Sequence, residues 1–357
     1  MYPALAVLQE LESNMDAVLW VGSQGGLEAN LIQRASVPYR EIPAAGVHGI
    51  AWYQLPKNLF KLLMGFFESR KILSEFHPEC IFFTGGFVAI PMAFAAQKIP
   101  KIVFVPDIEP GLALKVLAQL ADIIAVTVEE SKKYLPSRKT IRVTGYPIRP
   151  DLFNWSKKKA LDRFGLNPNV PVLLVLGGSR GAHSINQAVL NILENLLNDV
   201  QVIHISGKLD WGQIQIVQES LPENLKNNYH PLEYLHEMGA ALAAADMVIS
   251  RAGASTLGEY PLFGIPAVLI PYPYAWRYQI QNAEYLENHK AAVVIQDENI
   301  NKELLPTIQS LLNDPKKLQN MKDSMADLGI HDAARIIGEV IRELSQPANS
   351  RVEVHRG

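Results

Sequence analysis

With 357 residues, 48% of them apolar and 19% charged, the chain has the composition of a soluble globular protein of about two domains. Each domain is large enough to bury its own core. A net charge of −3 gives no nucleic-acid footprint, and a single cysteine, Cys80, rules out an internal disulfide and fits a reducing compartment. No apolar run reaches the roughly 20 residues of a spanning helix, the opening residues do not read as a secretory leader, and no heptad or short repeat is present.

Residues 2–14 are predicted to form a helix: Pro3 sits where a first-turn proline is tolerated, and Leu5, Leu8 and Leu11 recur at helical spacing. Strands are expected at 17–21, 39–42, 79–83, 101–105, 122–126 and 141–143, with Cys80 buried in one of them and a helix at 25–34. Strands alternating with helices predict a parallel sheet covered on both faces. A doubly wound domain normally opens on a central strand followed by a glycine turn. This half opens on a helix instead. Without such a strand, its two neighbours would carry unpaired backbone groups inside the protein, so the domain is expected to be incomplete at its start.

Trp52–Leu73 carries Trp52, Leu55, Leu59, Phe60, Leu62, Leu63, Met64, Phe66 and Phe67, interleaved with Lys57, Lys61, Arg70 and Lys71. Two readings fit: a core helix with a snorkelling basic side, or a surface that sits among lipid headgroups. Gly145-Tyr146-Pro147-Ile148-Arg149-Pro150 breaks the pattern and marks a linker. The expected domains are 1–147 and 148–345, followed by a loose tail at 346–357, with the last helix available to pack back on the first domain.

The second half repeats the alternation. Strands are expected at 172–176, 202–205, 247–249, 265–271 and 292–295. Helices are expected from 183 to 197 and at 157–164, 235–245, 301–312, 315–328 and 332–344. Gly177-Gly178-Ser179-Arg180-Gly181-Ala182, between a strand and a helix, is a phosphate-binding turn by mechanism. It also resembles a dinucleotide fingerprint, which leaves a nicotinamide oxidoreductase as an alternative, but the spacing is G-G-x-x-G and Asp199 precedes the next strand rather than ending it, and both argue against that reading. A second turn, Ser250-Arg251-Ala252-Gly253, is expected to lead into a helix beginning near Ala254, where Ser255 and Thr256 offer hydroxyls and free N–H groups can hold a phosphate. Glu259 lies one turn on, and its two oxygens suit a vicinal diol. Helix start plus acid suggests a ribose with a phosphate attached. Arg277, Gln279 and Gln281 line the helix after the next strand. No histidine pair, Asp-x-Asp clamp or G-x-S-x-G motif points to a metal or a covalent hydrolase, and no cofactor is expected.

TGGFVAIP, PDIEPGLA, VTGYPIRP, LGGSRGAHSIN and SRAGASTLGE…IPAVLIPYPYAWRYQIQNA together resemble the MurG glycosyltransferases over essentially the whole chain. The resemblance implies an α/β GT-B fold: two Rossmann-like domains with parallel sheets and a cleft between them. It implies an inverting transfer of N-acetylglucosamine from UDP-GlcNAc to lipid I, giving lipid II, at the cytoplasmic face of the membrane. Carried over by motif, Arg149 is the hinge arginine, Ser179 lies beside the diphosphate, and Leu235 and Met238 meet the uracil. Ala254, Ser255, Thr256, Leu257, Gly258 and Glu259 hold the diphosphate and ribose, and Gln279 reads the sugar hydroxyls. Asp107 stands where the family usually has Asn, Arg180 where Gln is common and His183 where Arg is common. The family's first glycine loop, of the form GGTGGH, would precede Tyr2 and carries its candidate base, so no catalytic base is assigned; a misassigned start codon at Met1 is expected. The rival readings are another GT-B transferase with a lipid acceptor and a non-catalytic UDP-sugar-binding or membrane-scaffold protein.

Overall fold

The structure, a computed structural model, describes residues 1–11, 15–26, 28–46, 50–178, 181–274 and 278–346. The chain forms two compact units: unit 1 is Met1–Pro147 with Asp332–Gly357, and unit 2 is Ile148–His331. The last helix therefore belongs to unit 1.

Unit 1 contains α1 (Tyr2–Leu11), β1 (Trp20–Ser23), α2 (Glu28–Arg34), β2 (Tyr39–Ile42), α3 (Leu55–Phe76), β3 (Ile81–Phe83), α4 (Ala89–Ala95), β4 (Lys101–Val105), α5 (Leu112–Leu120), β5 (Ile123–Val126) and β6 (Thr140–Val143). Unit 2 contains α6 (Lys157–Phe164), β7 (Val172–Leu176), α7 (His183–Asn191), α8 (Leu193–Leu197), β8 (Gln201–Ile205), α9 (Trp211–Ser220), α10 (Glu223–Lys226), β9 (Tyr229–Leu232), α11 (Met238–Ala244), β10 (Met247–Ser250), α12 (Glu259–Phe263), β11 (Ala267–Leu269), α13 (Tyr278–Asn288), β12 (Ala292–Val294), α14 (Ile300–Leu312) and α15 (Pro315–Asp327). Helix α16 (Ala333–Ser345) completes unit 1.

The six strands of unit 2 pair in parallel in the order β9-β8-β7-β10-β11-β12. Their runs of Val, Leu and Ile are buried on both faces, as an all-parallel sheet requires. The order is that of a doubly wound sheet starting at β7, with its reversal between β7 and β10. Strand β9 has no clear apolar signature and was not expected. It is an edge strand, which is where Pro231 is tolerated. The expected helix over 183–197 is broken at Ile192, whose φ of −116° lies outside the helical region.

Unit 1 follows the same plan with one interruption. Strands β3-β4-β5-β6 form one parallel sheet, and β1 pairs in parallel only with β2. Between β1 and β3 lies a cavity of about 680 Å³. Helix α16 covers one face of the unit with α1, through Ile337, Val340 and Leu344 against Val7 and Leu11. The Arg142 guanidinium grips the Glu343 carboxylate with two bonds, 2.8 and 3.0 Å long.

Helix α3 buries only Gly65, Ser69 and Ile72. Gly65 is there because a Cβ would meet the Pro43 carbonyl at 2.2 Å. The core-helix reading fails: Trp52 is 85% exposed, Phe60 62% and Phe67 57%, with Leu59 and Leu63 beside them. Lys57, Lys61, Arg70 and Lys71 are exposed on the same helix. No described helix is long and apolar enough to cross a membrane.

Candidate functional site

Ligands of doubly wound sheets bind outside the carboxyl ends of the strands where the order reverses. In unit 2 that point is flanked by the loops after β7 and β10, the two stretches singled out in the sequence. In the first loop Gly178 and Gly181 have φ of +80° and +79°. A Cβ on Gly181 would lie 2.2 Å from the Ser206 carbonyl, so only glycine lets the loop press on the end of β8. Ser179 and Arg180 lie outside the described residues.

The second loop differs from the expected single helix. Ala254–Leu257 is a 3-10 turn, Gly258 departs from helical geometry at φ −126°, and Glu259 opens the separate short helix α12. Three contacts pin this loop. Thr256 Oγ1 donates to the Gly253 carbonyl at 2.7 Å, Asn282 Nδ2 donates to the Ala252 carbonyl at 3.1 Å, and the buried Tyr260 hydroxyl donates to Ser250 Oγ at 2.8 Å. Burial raises the Tyr260 phenol well above its ordinary range, so it stays a neutral donor.

Glu259 keeps some exposed surface but is closely ringed by protein. Burial raises its carboxyl to about 7, against the opposing pull of a hydrogen bond from Ser255 and the charge of Arg149. At neutral pH the group is therefore balanced between its two forms. The carboxylate accepts a hydrogen bond from Ser255 and feels the charge of Arg149. Arg149, at the start of a short 3-10 turn, lies 3.4 Å from the Asp151 carboxylate and borders a cavity of about 240 Å³ shared with His236 and Met238. Gly239 lets α11 approach this turn, because a Cβ there would meet the Leu152 carbonyl at 2.3 Å. Met238 opens α11 and Leu235 precedes it, both half-buried. Unit 2 thus gathers Arg149, Met238, Ser255 and Glu259.

The remaining predicted residues stand differently. Gln279 turns its carboxamide oxygen back on its own loop, accepting from the Tyr272 N–H at 2.9 Å. Arg277 lies outside the described residues. Asp107 is half-buried after β4, in unit 1. Among the described residues no group of three His, Cys, Asp or Glu side chains is arranged to hold a metal.

Two networks escaped the sequence reading. Arg251 pairs with Asp297, donates to Ser184 Oγ at 2.8 Å and to the Ile270 carbonyl at 3.1 Å, and lies over the Tyr272 ring. It ties the loop after β10 to the start of α7 and to the end of β12. The second network runs inward from the glycine loop. His183 Nδ1 lies 2.7 Å from Asp210 Oδ1, Asn186 Nδ2 donates to Asp210 Oδ2 at 2.6 Å, and His204 Nε2 lies 3.0 Å from Asn186 Oδ1. His204 Nδ1 meets the Tyr229 hydroxyl at 2.9 Å. Burial pushes His204 down to about 4, so it is neutral at pH 7: Nε2–H donates to Asn186, and Nδ1 accepts from Tyr229. His183 and Asn186 lie within the quoted motif, but their partners are 18 to 27 residues away, beyond the reach of local spacing.

The chain matches the model of the glycosyltransferase family 28 N-terminal domain over residues 1–126 and that of the family 28 C-terminal domain over residues 172–337. It is 37% identical to the UDP-N-acetylglucosamine--N-acetylmuramyl-(pentapeptide) pyrophosphoryl-undecaprenol N-acetylglucosamine transferase of Roseiflexus sp. (strain RS-1), covering 92% of this chain and 84% of that one. It is 33% identical to the Bacillus subtilis (strain 168) protein of the same name, covering 97% and 96%. Among solved structures it resembles Acinetobacter baumannii MurG, with a TM-score of 0.76 at 24% identity over 96% of this chain and 95% of that one. It also resembles the UDP-GlcNAc 2-epimerase of Neisseria meningitidis bound to UDP-GlcNAc, with a TM-score of 0.68 at 16% identity over 96% of each chain. At these identities the two structures speak for the fold alone.

Proposed function

The chain belongs to glycosyltransferase family 28, and from that premise we propose how its residues serve the reaction. It is an N-acetylglucosaminyltransferase that moves GlcNAc from UDP-GlcNAc to undecaprenyl-pyrophosphoryl-MurNAc-pentapeptide, lipid I, giving lipid II in peptidoglycan synthesis. The observation that carries the residue assignment is the Glu259 carboxylate, held beside Ser255 and Arg149 where the unit 2 sheet reverses.

In this reading Glu259 accepts hydrogen bonds from the two ribose hydroxyls. The first N–H groups of the Ala254 turn and the glycine loop with Ser179 face the diphosphate. Arg149 leaves Asp151 for the ligand, Met238 and Leu235 flank the uracil, and Gln279 turns from Tyr272 to the sugar. The acceptor's 4-hydroxyl displaces UDP at the anomeric carbon with inversion. Negative charge grows on the departing diphosphate, and fixed N–H donors with Arg149 stabilise it more than they stabilise the bound substrate.

Membrane approach belongs to unit 1. The exposed aromatic and aliphatic side chains of α3, ringed by Lys57, Lys61, Arg70 and Lys71, suit an anionic headgroup layer at the cytoplasmic face. Transfer of radiolabel from UDP-GlcNAc to lipid I tests the assignment. Label must enter the lipid fraction, and Glu259→Ala must raise the KM for UDP-GlcNAc; an unchanged KM removes Glu259 from the site.

A further inference from the structure

Arg251 stands directly after β10, three residues before Ala254. Its side chain is 12% exposed, and it reaches three other loops. Nη2 donates to Ser184 Oγ at 2.8 Å, on the second residue of α7, just past the glycine loop. Nη1 donates to the Ile270 carbonyl at 3.1 Å, at the end of β11, and pairs with the Asp297 carboxylate, beyond β12. Ser184 Oγ donates in turn to Asp297 Oδ1 at 2.7 Å, so guanidinium, hydroxyl and acid close a triangle. The Tyr272 ring, in the loop after β11, covers the guanidinium at 5.2 Å.

Strands β7, β10, β11 and β12 are neighbours in the sheet. At 4.8 Å per strand, roughly 14 Å separates the first from the last. One side chain therefore fastens the ends of four strands, across the point where the order reverses. Stability alone is a poor reason for such a group. Withdrawing two charges from water costs free energy that their attraction does not reliably return, and apolar side chains would fill the same volume without that cost. A planar fork with several donors does what apolar packing does not: it fixes distances. The distance fixed here is the one between the glycine loop and the Ala254 turn.

On the reading that these two loops receive the diphosphate, we propose that Arg251 is a positioning residue for it. Its terminal nitrogens serve Ser184, Ile270 and Asp297 rather than the nucleotide. Through Ser184 it sets the gap between the N–H groups of one loop and those of the other, and a diphosphate must bridge that gap to be held by both. Fixed donors of this kind act only where they are accurately placed, and an error of about 1 Å costs on the order of a hundredfold. The ribose end is anchored separately: Glu259 adjoins Tyr260, whose hydroxyl bonds to Ser250. Arg251 thus governs how well the phosphates are held and leaves the nucleoside alone.

The test compares the affinity of the full chain for UDP with its affinity for uridine, which lacks both phosphates. Ser184→Ala removes the hydroxyl link and leaves the ion pair in place. Arg251→Lys keeps the charge and loses the fork. Each variant should weaken UDP by about tenfold and uridine by less than about twofold. The double variant should lose no more than about the larger of the two single losses, because both changes break the same link. Unchanged UDP affinity in both variants, uridine weakened as much as UDP, or losses that multiply in the double variant would each overturn the role of Arg251. If the unmodified chain holds UDP no tighter than uridine, the two loops do not receive a diphosphate, and the proposal falls together with that reading.

Discussion

Units 1 and 2 are built on the same doubly wound plan, and they differ where that plan is most demanding. Unit 2 has an unbroken six-stranded sheet whose first strand, β7, is central and ends in the glycine loop. Unit 1 has two sheets that face a cavity at the corresponding place. The central strand of such a fold both pairs two neighbours and aims the first ligand-binding turn. In unit 2 Val172–Leu176 pairs with β8 and β10 and leads into the glycine loop. The difference separates the two halves of the proposed reaction: every residue proposed for the nucleotide, its diphosphate included, lies in unit 2, and the surface proposed to meet the membrane lies in unit 1.

The largest effect expected is on the glycine loop. Gly181→Ala combines a left-handed φ with a backbone overlap at Ser206, and should cost at least about 3 kcal/mol. Gly25→Ala in unit 1 has the same sign of φ at +70° but open space around it, and should cost about 1 kcal/mol. Thermal melts of the two variants check the contrast, and equal losses would break it. Next comes Glu259→Ala. Removing an acceptor of two charge-assisted bonds should weaken UDP-GlcNAc by about 3 kcal/mol, on the order of a hundredfold in KM. Leu63→Ser with Phe67→Ser should lower partition to anionic vesicles by at least about tenfold. Stability should stay within about 0.5 kcal/mol, because both side chains are more than half exposed. Nucleotide affinity should not change in that double variant, and a change would couple the two units.

The smallest net effect is in pH, because two buried groups work against each other. The folded chain keeps a proton on Glu259 between its ordinary 4.5 and about 7 that the unfolded chain releases, so this group makes stability fall as pH rises through that window. His204, lowered from 6.5 to about 4, works in the opposite sense: stability falls as pH drops through 6.5 toward 4. The two slopes oppose each other between 4.5 and 6.5. Glu259→Gln should expose the histidine slope in denaturant titrations over that range. An unaltered pH profile would mean that Glu259 does not carry the opposing slope.

The sequence showed the alternation of strand and helix, both loops of unit 2 and the pairing of an acid with a helix-like start. These are local signals: Gly177–Gly181 and Ser250–Glu259 each lie within ten residues. What it hid was either long-range or lacked a pattern. The Arg251–Ser184–Asp297 tie and the His183–Asp210–Asn186–His204–Tyr229 chain join residues far apart in sequence. Strand β9 carries His230 and Pro231 and reads as loop until its place at the sheet edge is known. The apolar pattern of α3 covers more than one face, so it fitted core and surface equally. Only the near absence of buried positions decided between them.

The measurement closest to the central claim is calorimetric titration of the full chain with UDP-GlcNAc at pH 7, repeated in buffers of different ionisation heat. A carboxyl raised by burial that must be ionised to accept from the ribose predicts one saturable site and net release of protons on binding. It also predicts that Glu259→Gln abolishes the proton release and weakens binding. Absence of saturable heat, or the same affinity and proton release in the Gln variant, would contradict a nucleotide site built around Glu259.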